Sequence, residues 1–303
     1  MKNLHKQLAG TRVASKTQLP IRRFAAKALA IMAVILTSMY GAWADTGTTY
    51  TVNETLASFG TINQINVSPT DGEMSCVPTA TMNSFIFLQT EYQSIFGNDG
   101  LGAPALQGEQ GSWVNAAALL AGANYMNTAQ NNGTTIKNWI GGKVSYLNTY
   151  ANGLITFNGM DSLSAPADRL SWDTDGNPTV NFLLKELQAN EDVELGIYPD
   201  KSDVIGHALT LTGLTWIDAD NSKTFDLGDT LTLDIMDPAN PMGNTPLLLK
   251  PGDPMTISGG PYNNYVLEVA LSESPVPEPA TASLLLLGVG ALLGGLRLRR
   301  RSS

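Results

Sequence analysis

Residues 75–96 read SCVPTATMNSFIFLQTEYQSIF, and the helix they imply, set ahead of a run of strands, decides the fold class. Phe85, Leu88 and Tyr92 fall at i, i+3 and i+7, with Ile86 and Ile95 beside that face, so the spacing predicts a helix over residues 78–96. Pro78 suits its first turn, where a missing N–H costs nothing. Residues 113–125 and 135–150 read as two further helices. Residues 179–189 (TVNFLLKELQA) read as a fourth, burying Phe182, Leu183 and Leu187. Strands follow. Residues 193–198 (VELGIY) are short, 208–217 (ALTLTGLTWI) alternate across Gly213, 230–236 (TLTLDIM) alternate cleanly, and 265–271 (YVLEVAL) close the body. Helices first and strands afterwards predict an α+β domain, its N-terminal helices packed on an antiparallel β-sheet.

The 303 residues carry a formal net charge of −9, but the ends mask the body. All seven basic residues before Asp45 and all four after Pro279 stand without an acid beside them. Between those two positions lie 7 basic and 27 acidic residues, a net charge of −20. That balance argues against a nucleic-acid partner. A hydrophobic content of 43% excludes a wholly disordered chain. The single cysteine excludes an intramolecular disulfide framework and any cysteine-clustered metal centre.

Both ends read as addresses. Arg22, Arg23 and Lys27 precede the apolar stretch 28–39, and Ala42-Trp43-Ala44 fits a cleavage site, so residues 1–44 are expected to be a signal peptide. At the other end, Val276-Pro277-Glu278-Pro279 precedes an apolar run over 280–296 and then Arg297, Arg299, Arg300 and Arg301. As a helix that run spans roughly 25 Å, a short transmembrane segment. Residues 276–303 resemble the PEP-CTERM sorting tail of Gram-negative bacteria. The resemblance implies export, an exosortase-type enzyme as partner, and a place in the envelope, at the cell surface or in the extracellular matrix. A single domain over 45–275 lies between the addresses.

That domain holds one cysteine, Cys76, and one histidine, His207. Cys76 stands directly before the first helix, where exposed N–H groups and the helix dipole favour a thiolate. His207 opens a strand in Gly206-His207-Ala208-Leu209-Thr210-Leu211, and an imidazole there can take the thiol proton. Asp237 ends the next strand, where adjacent antiparallel pairing can bring it to His207 as an orienting carboxylate. A buried structural cysteine, a structural histidine and a plain Asp-Pro turn are the alternative readings of the three.

Cys76-Val77-Pro78-Thr79-Ala80, then Gly206 to Gly213, then a strand ending in Asp237-Pro238 resemble the papain-like cysteine peptidases of the bacteriocin-processing type. The segment 180–198 resembles the stretch before that family's histidine. The resemblance covers residues 64–240. It implies a papain-like fold with Cys76 as nucleophile, His207 as general base, Asp237 as its orienting residue and Gln64 as oxyanion donor. Val77 stands where the family has glycine. Gln64 lies twelve residues before Cys76, and Thr70 holds the spacing at which the family has its glutamine. The function implied is an exported cysteine hydrolase acting on a peptide or amide bond. The alternative is a non-catalytic surface or matrix binding protein.

One further pattern involves oxygen ligands. Asp218, Asp220, Ser222, Thr224, Asp226 and Asp229 occupy positions 1, 3, 5, 7, 9 and 12 of a twelve-residue window, the EF-hand spacing for Ca²⁺. Lys223 replaces the usual glycine at position 6. The window reads either as a calcium loop or as a solvated acidic turn, and hydrolysis by Cys76 requires no cofactor.

Overall fold

The computed structural model describes residues 47–67, 72–97, 105–108, 110–199 and 206–276. The expected leader and the apolar run over 280–296 lie outside them. The strands are β1 (Thr48–Asn53), β2 (Ile155–Asp161), β3 (Asp173–Asp175), β4 (Asp192–Pro199), β5 (His207–Asp218), β6 (Thr230–Asp237), β7 (Asn240–Lys250), β8 (Thr256–Ser258) and β9 (Tyr265–Pro275). The helices are α1 (Cys76–Glu91), the single turn α2 (Gln93–Phe96), α3 (Trp113–Ala121), α4 (Ile136–Tyr150) and α5 (Val180–Gln188).

The α+β, papain-like expectation fails here. β4, β5, β6, β7, β8 and β9 pair in turn, and β9 pairs back onto β4, so six antiparallel strands close into a barrel. β1 extends the sheet from β5, β2 from β9, and β3 from β2. The described body is mostly β, with few helices. The misreading has a physical cause. β7 is Asn240-Pro241-Met242-Gly243-Asn244-Thr245-Pro246 before its three leucines, a composition that reads as loop. It is tolerated because β8 pairs β7 only at Leu248–Lys250, leaving the second edge of its first seven residues outside the ladder to β8. With β7 and β8 unread, nothing in the pattern signals closure.

Two apolar clusters hold the domain. Inside the barrel, Leu195, Leu209, Leu211, Leu233, Ile235 and Leu267 meet Leu183 and Leu187 of α5. On the outer wall, Ala208, Met236, Val269 and Leu271 meet α1, α3 and α4. α1 therefore lies between layers, and 13 of its 16 residues are buried. Its apolar residues follow no single face, because the helix has no solvent side. Three of its buried polar side chains find partners in neighbouring segments. Thr81 accepts from Trp139 Nε1 at 3.2 Å, Asn83 Oδ1 accepts from Ile62 N at 2.9 Å, and Gln89 Nε2 donates to Gly97 O at 2.7 Å. Ser112, Thr135 and Thr179 cap α3, α4 and α5 by accepting a backbone N–H three residues on.

α4 is bound to the barrel by charge as well as by apolar contact. Lys143 is fully buried, bonded to Glu194 of β4 and, at 2.5 Å, to Glu273 of β9, with Asp192 beside them. Two residues along β4, Gly196 leaves room for Trp139. A Cβ there would stand 3.1 Å from the indole and 2.8 Å from Val269.

Candidate functional site

Three separate elements end at one end of the barrel. Cys76 is the first residue of α1, His207 the first of β5 and Asp237 the last of β6. β5 and β6 run antiparallel with Thr210 opposite Met236, so the start of one meets the end of the other. α1 packs across β4 and β5, with Thr210 Oγ1 donating to Ala80 O at 3.1 Å, and this fixes its N-terminus over His207.

His207 Nε2 lies 2.8 Å from Asp237 Oδ1. The thiol of Cys76 is hydrogen-bonded to the His207 side chain and also accepts from the backbone N–H groups of Ala208 and Val77. Because Nε2 is engaged by Asp237, Nδ1 is the ring nitrogen left for the thiol. Asp237 is fully satisfied. Its Oδ1 also accepts from Ala239 N at 2.8 Å, and its Oδ2 accepts from the hydroxyl of Tyr262. The Tyr262 ring stacks on the imidazole, with centroids 5.3 Å apart and planes 23° off parallel.

The charges follow from these contacts. Burial pushes the Cys76 thiol up, but the His207 bond and charge and the two N–H groups outweigh it and hold the thiol below its ordinary value. Burial pushes His207 down, yet its bonds to Asp237 and Cys76 raise it to about 9. Burial likewise raises Asp237, and the bonds from His207, Tyr262 and Ala239 bring it below the usual carboxylate range. All three shifts act in the direction that favours a thiolate–imidazolium pair backed by a carboxylate.

Cys76 and His207 open into a cleft of about 470 Å³ walled by Val77, Trp139, Tyr198 and Tyr262. Gln64 is not among the residues lining the cleft. Gln64 N donates to Pro238 O at 2.9 Å and Nε2 donates to Glu73 O at 3.1 Å, while Oε1 is buried without a partner. Thr70 lies outside the described residues.

The acidic window forms a separate turn between β5 and β6. The carboxylates of Asp218, Asp220 and Asp229 come within 4.8 Å of one another. Asp218 accepts from Ser222 N and Lys223 N at 3.0 Å each, and Asp229 accepts from Ala219 N at 2.8 Å and Trp216 Nε1 at 3.1 Å. Ser222 Oγ donates to Thr224 O at 2.9 Å and Asp226 Oδ2 at 3.2 Å. Lys223 takes φ 60°, the left-handed conformation that favours glycine at this position.

Sequence reasoning missed Tyr262. It follows Gly259-Gly260-Pro261 between two strands, and no spacing ties it to His207. Only closure of the barrel brings them together.

Residues 275–301 match the PEP-CTERM protein-sorting motif. The chain carries that sorting tail. Comparison with curated proteins gives no match. The motif starts at Pro275, the last residue of β9, so the sorting tail begins where the barrel ends. It implies recognition by an exosortase-type processing enzyme, and export with cell-surface sorting in Gram-negative bacteria. Among the described residues no helix is long and apolar enough to cross a membrane.

Proposed function

We propose that the body is an exported cysteine hydrolase, a peptidase acting on a peptide or amide bond. The observation that carries this reading is the Cys76–His207–Asp237 chain of contacts at the wall of an open cleft. The Cys76 thiolate attacks the carbonyl carbon, forming the C–S bond. The N–H groups at the start of α1 face the developing oxyanion. The His207 imidazolium gives its proton to the leaving amine as the C–N bond breaks. Neutral His207 then takes a proton from water, which attacks the thioester, and the thiolate and imidazolium are restored. Asp237 holds the ring throughout.

The pH profile follows from the shifts. Activity should rise where Cys76 ionises, below a free thiol's range, and fall as His207 loses its proton at about 9. The test uses protein lacking residues 1–44 and 276–303. Amine release from unstructured peptides and alkylation of Cys76 by iodoacetamide are followed from pH 4 to 11. Both should share the acid limb. Slow alkylation with a free-thiol profile and no amine release would instead make the body a non-catalytic surface or matrix binding protein sorted by its tail.

Two finer points belong to the same reading. After processing, the body is released or attached at the surface, in the envelope or matrix. Calcium at Asp218, Asp220 and Asp229 adds a structural ion that the chemistry does not use. Chelation should then lower the melting temperature, and Asp220→Ala should remove that response. An unchanged melting temperature with chelator rejects the ion.

A further inference from the structure

We propose that the cleft selects cationic substrates, a peptide segment bearing lysine or arginine beside the bond to be cut, with Glu73 as its counter-charge; this rests on the cysteine-hydrolase reading above. Among the described residues lining the cleft, Glu73 is the carboxylate, and no lysine or arginine faces it. Glu73 is exposed and stands three residues before Cys76. Its backbone is pinned by Gln64 Nε2, so the carboxylate is carried on a fixed segment beside the nucleophile.

The rest of the wall adds to this field. The Cys76 thiolate and the His207 imidazolium cancel, which leaves Asp237 behind the ring and Glu73 at the rim as the uncompensated charges. Tyr262 and Tyr265, both half-buried and in edge contact at 5.6 Å, line the same space with their aromatic rings. A carboxylate beside aromatic faces suits an ammonium or guanidinium group. Among the described residues, four of the cations are engaged elsewhere. Lys137, Lys143, Arg169 and Lys185 are already ion-paired with carboxylates. The net −20 between the two addresses draws cations toward the surface and repels anionic segments.

The test measures the field at the nucleophile separately from turnover. Cys76 is modified with a cationic trimethylammonium-ethyl and an anionic sulfonatoethyl methanethiosulfonate, each rate divided by that of a free thiol. The normalised ratio should favour the cation by about tenfold at low salt and fall as salt is raised. Glu73→Gln should reduce it about threefold. A ratio at or below one, or one that Glu73→Gln leaves unchanged, overturns the proposal. In parallel, peptides differing only in a Lys, Ala or Glu flanking the bond should be cut in that order of kcat/KM, the order flattening in Glu73→Gln. If no peptide is cut while the probe ratio persists, the hydrolase reading fails and Glu73 remains the counter-charge of a cationic ligand. If all three are cut alike and the ratio is one, the hydrolase stands and the charge selection is wrong.

Discussion

Cys76→Ala and His207→Ala should each lower hydrolysis by at least about 10³-fold, and the double variant should lose no more than either alone. Removing the thiol removes the nucleophile. Removing the imidazole leaves the thiol without the partner that holds its pKa down and without a donor for the leaving amine. Each loss makes the other group useless, so the effects do not add. Asp237→Ala should cost less, because it orients the ring rather than reacting. Tyr262→Phe separates two contacts: it keeps the stack on His207 and deletes only the hydroxyl bond to Asp237. Loss of a hydrogen bond to a charged group should lower kcat by roughly tenfold with little change in KM. Steady-state kinetics on purified variants, with folding checked by circular dichroism, reads all five. Hydrolysis that survives Cys76→Ala refutes the mechanism, and a Tyr262→Phe effect confined to KM would make Tyr262 a substrate wall instead.

Lys143→Met should be the most damaging single change to stability, at about 3–5 kcal/mol, or roughly 10 °C in melting temperature. The ammonium is the one cation buried among Asp192, Glu194 and Glu273 on the described face of β4 and β9, and without it those carboxyls stay buried without a cation. The pH dependence has a defined sign. Burial and the neighbouring Glu273 raise Glu194 from 4.5 to about 8 in the folded protein, against the opposing pull of Lys143. The unfolded chain therefore releases that proton first, and stability falls as pH rises from about 4.5 toward about 8. Lys143→Met should be least harmful at the acid end of that window. Glu194→Gln, which keeps the shape and discards the titration, should flatten the slope. Melting curves from pH 4.5 to 8.5 decide it. A shift of only a degree or two for Lys143→Met would mean the cluster contributes nothing net.

The elements with strong periodicity were visible before any coordinates. α4 and α5 start at the threonines that cap them, and β6 spans the alternation of Leu231, Leu233 and Ile235 with one residue added. Boundaries moved where packing overrode pattern. α1 starts two residues earlier than its apolar spacing suggested, because Cys76 and Val77 are already held by the barrel wall, and it ends at Glu91 with a separate turn over Gln93–Phe96. The resemblance implies a donor's part for Gln64, and in the fold its Nε2 donates to the Glu73 carbonyl. Which way an amide points is decided by the nearest acceptor in three dimensions, and no linear spacing records that.

The sequence by itself determined the C-terminal sorting tail and the chemistry on offer. A sorting tail is a linear signal, legible in the order of its residues. The scarcity of Cys and His likewise left one thiol and one imidazole in the body, each at the start of an element, where local rules of capping and alternation apply. Only the tertiary structure decided that the sheet closes, because closure depends on β7, whose prolines and glycine hide it from propensity, on the three-residue β8, and on β9 pairing back onto β4, a strand far earlier in the chain. The β5–β6 pairing and the packing of α1 bring Cys76, His207 and Asp237 together at one barrel end, closure adds the Tyr262 contact behind them, and the β4–β9 pairing buries Lys143 of α4. Each is a contact between residues tens to more than a hundred positions apart, fixed by the fold and not by any local preference of the chain.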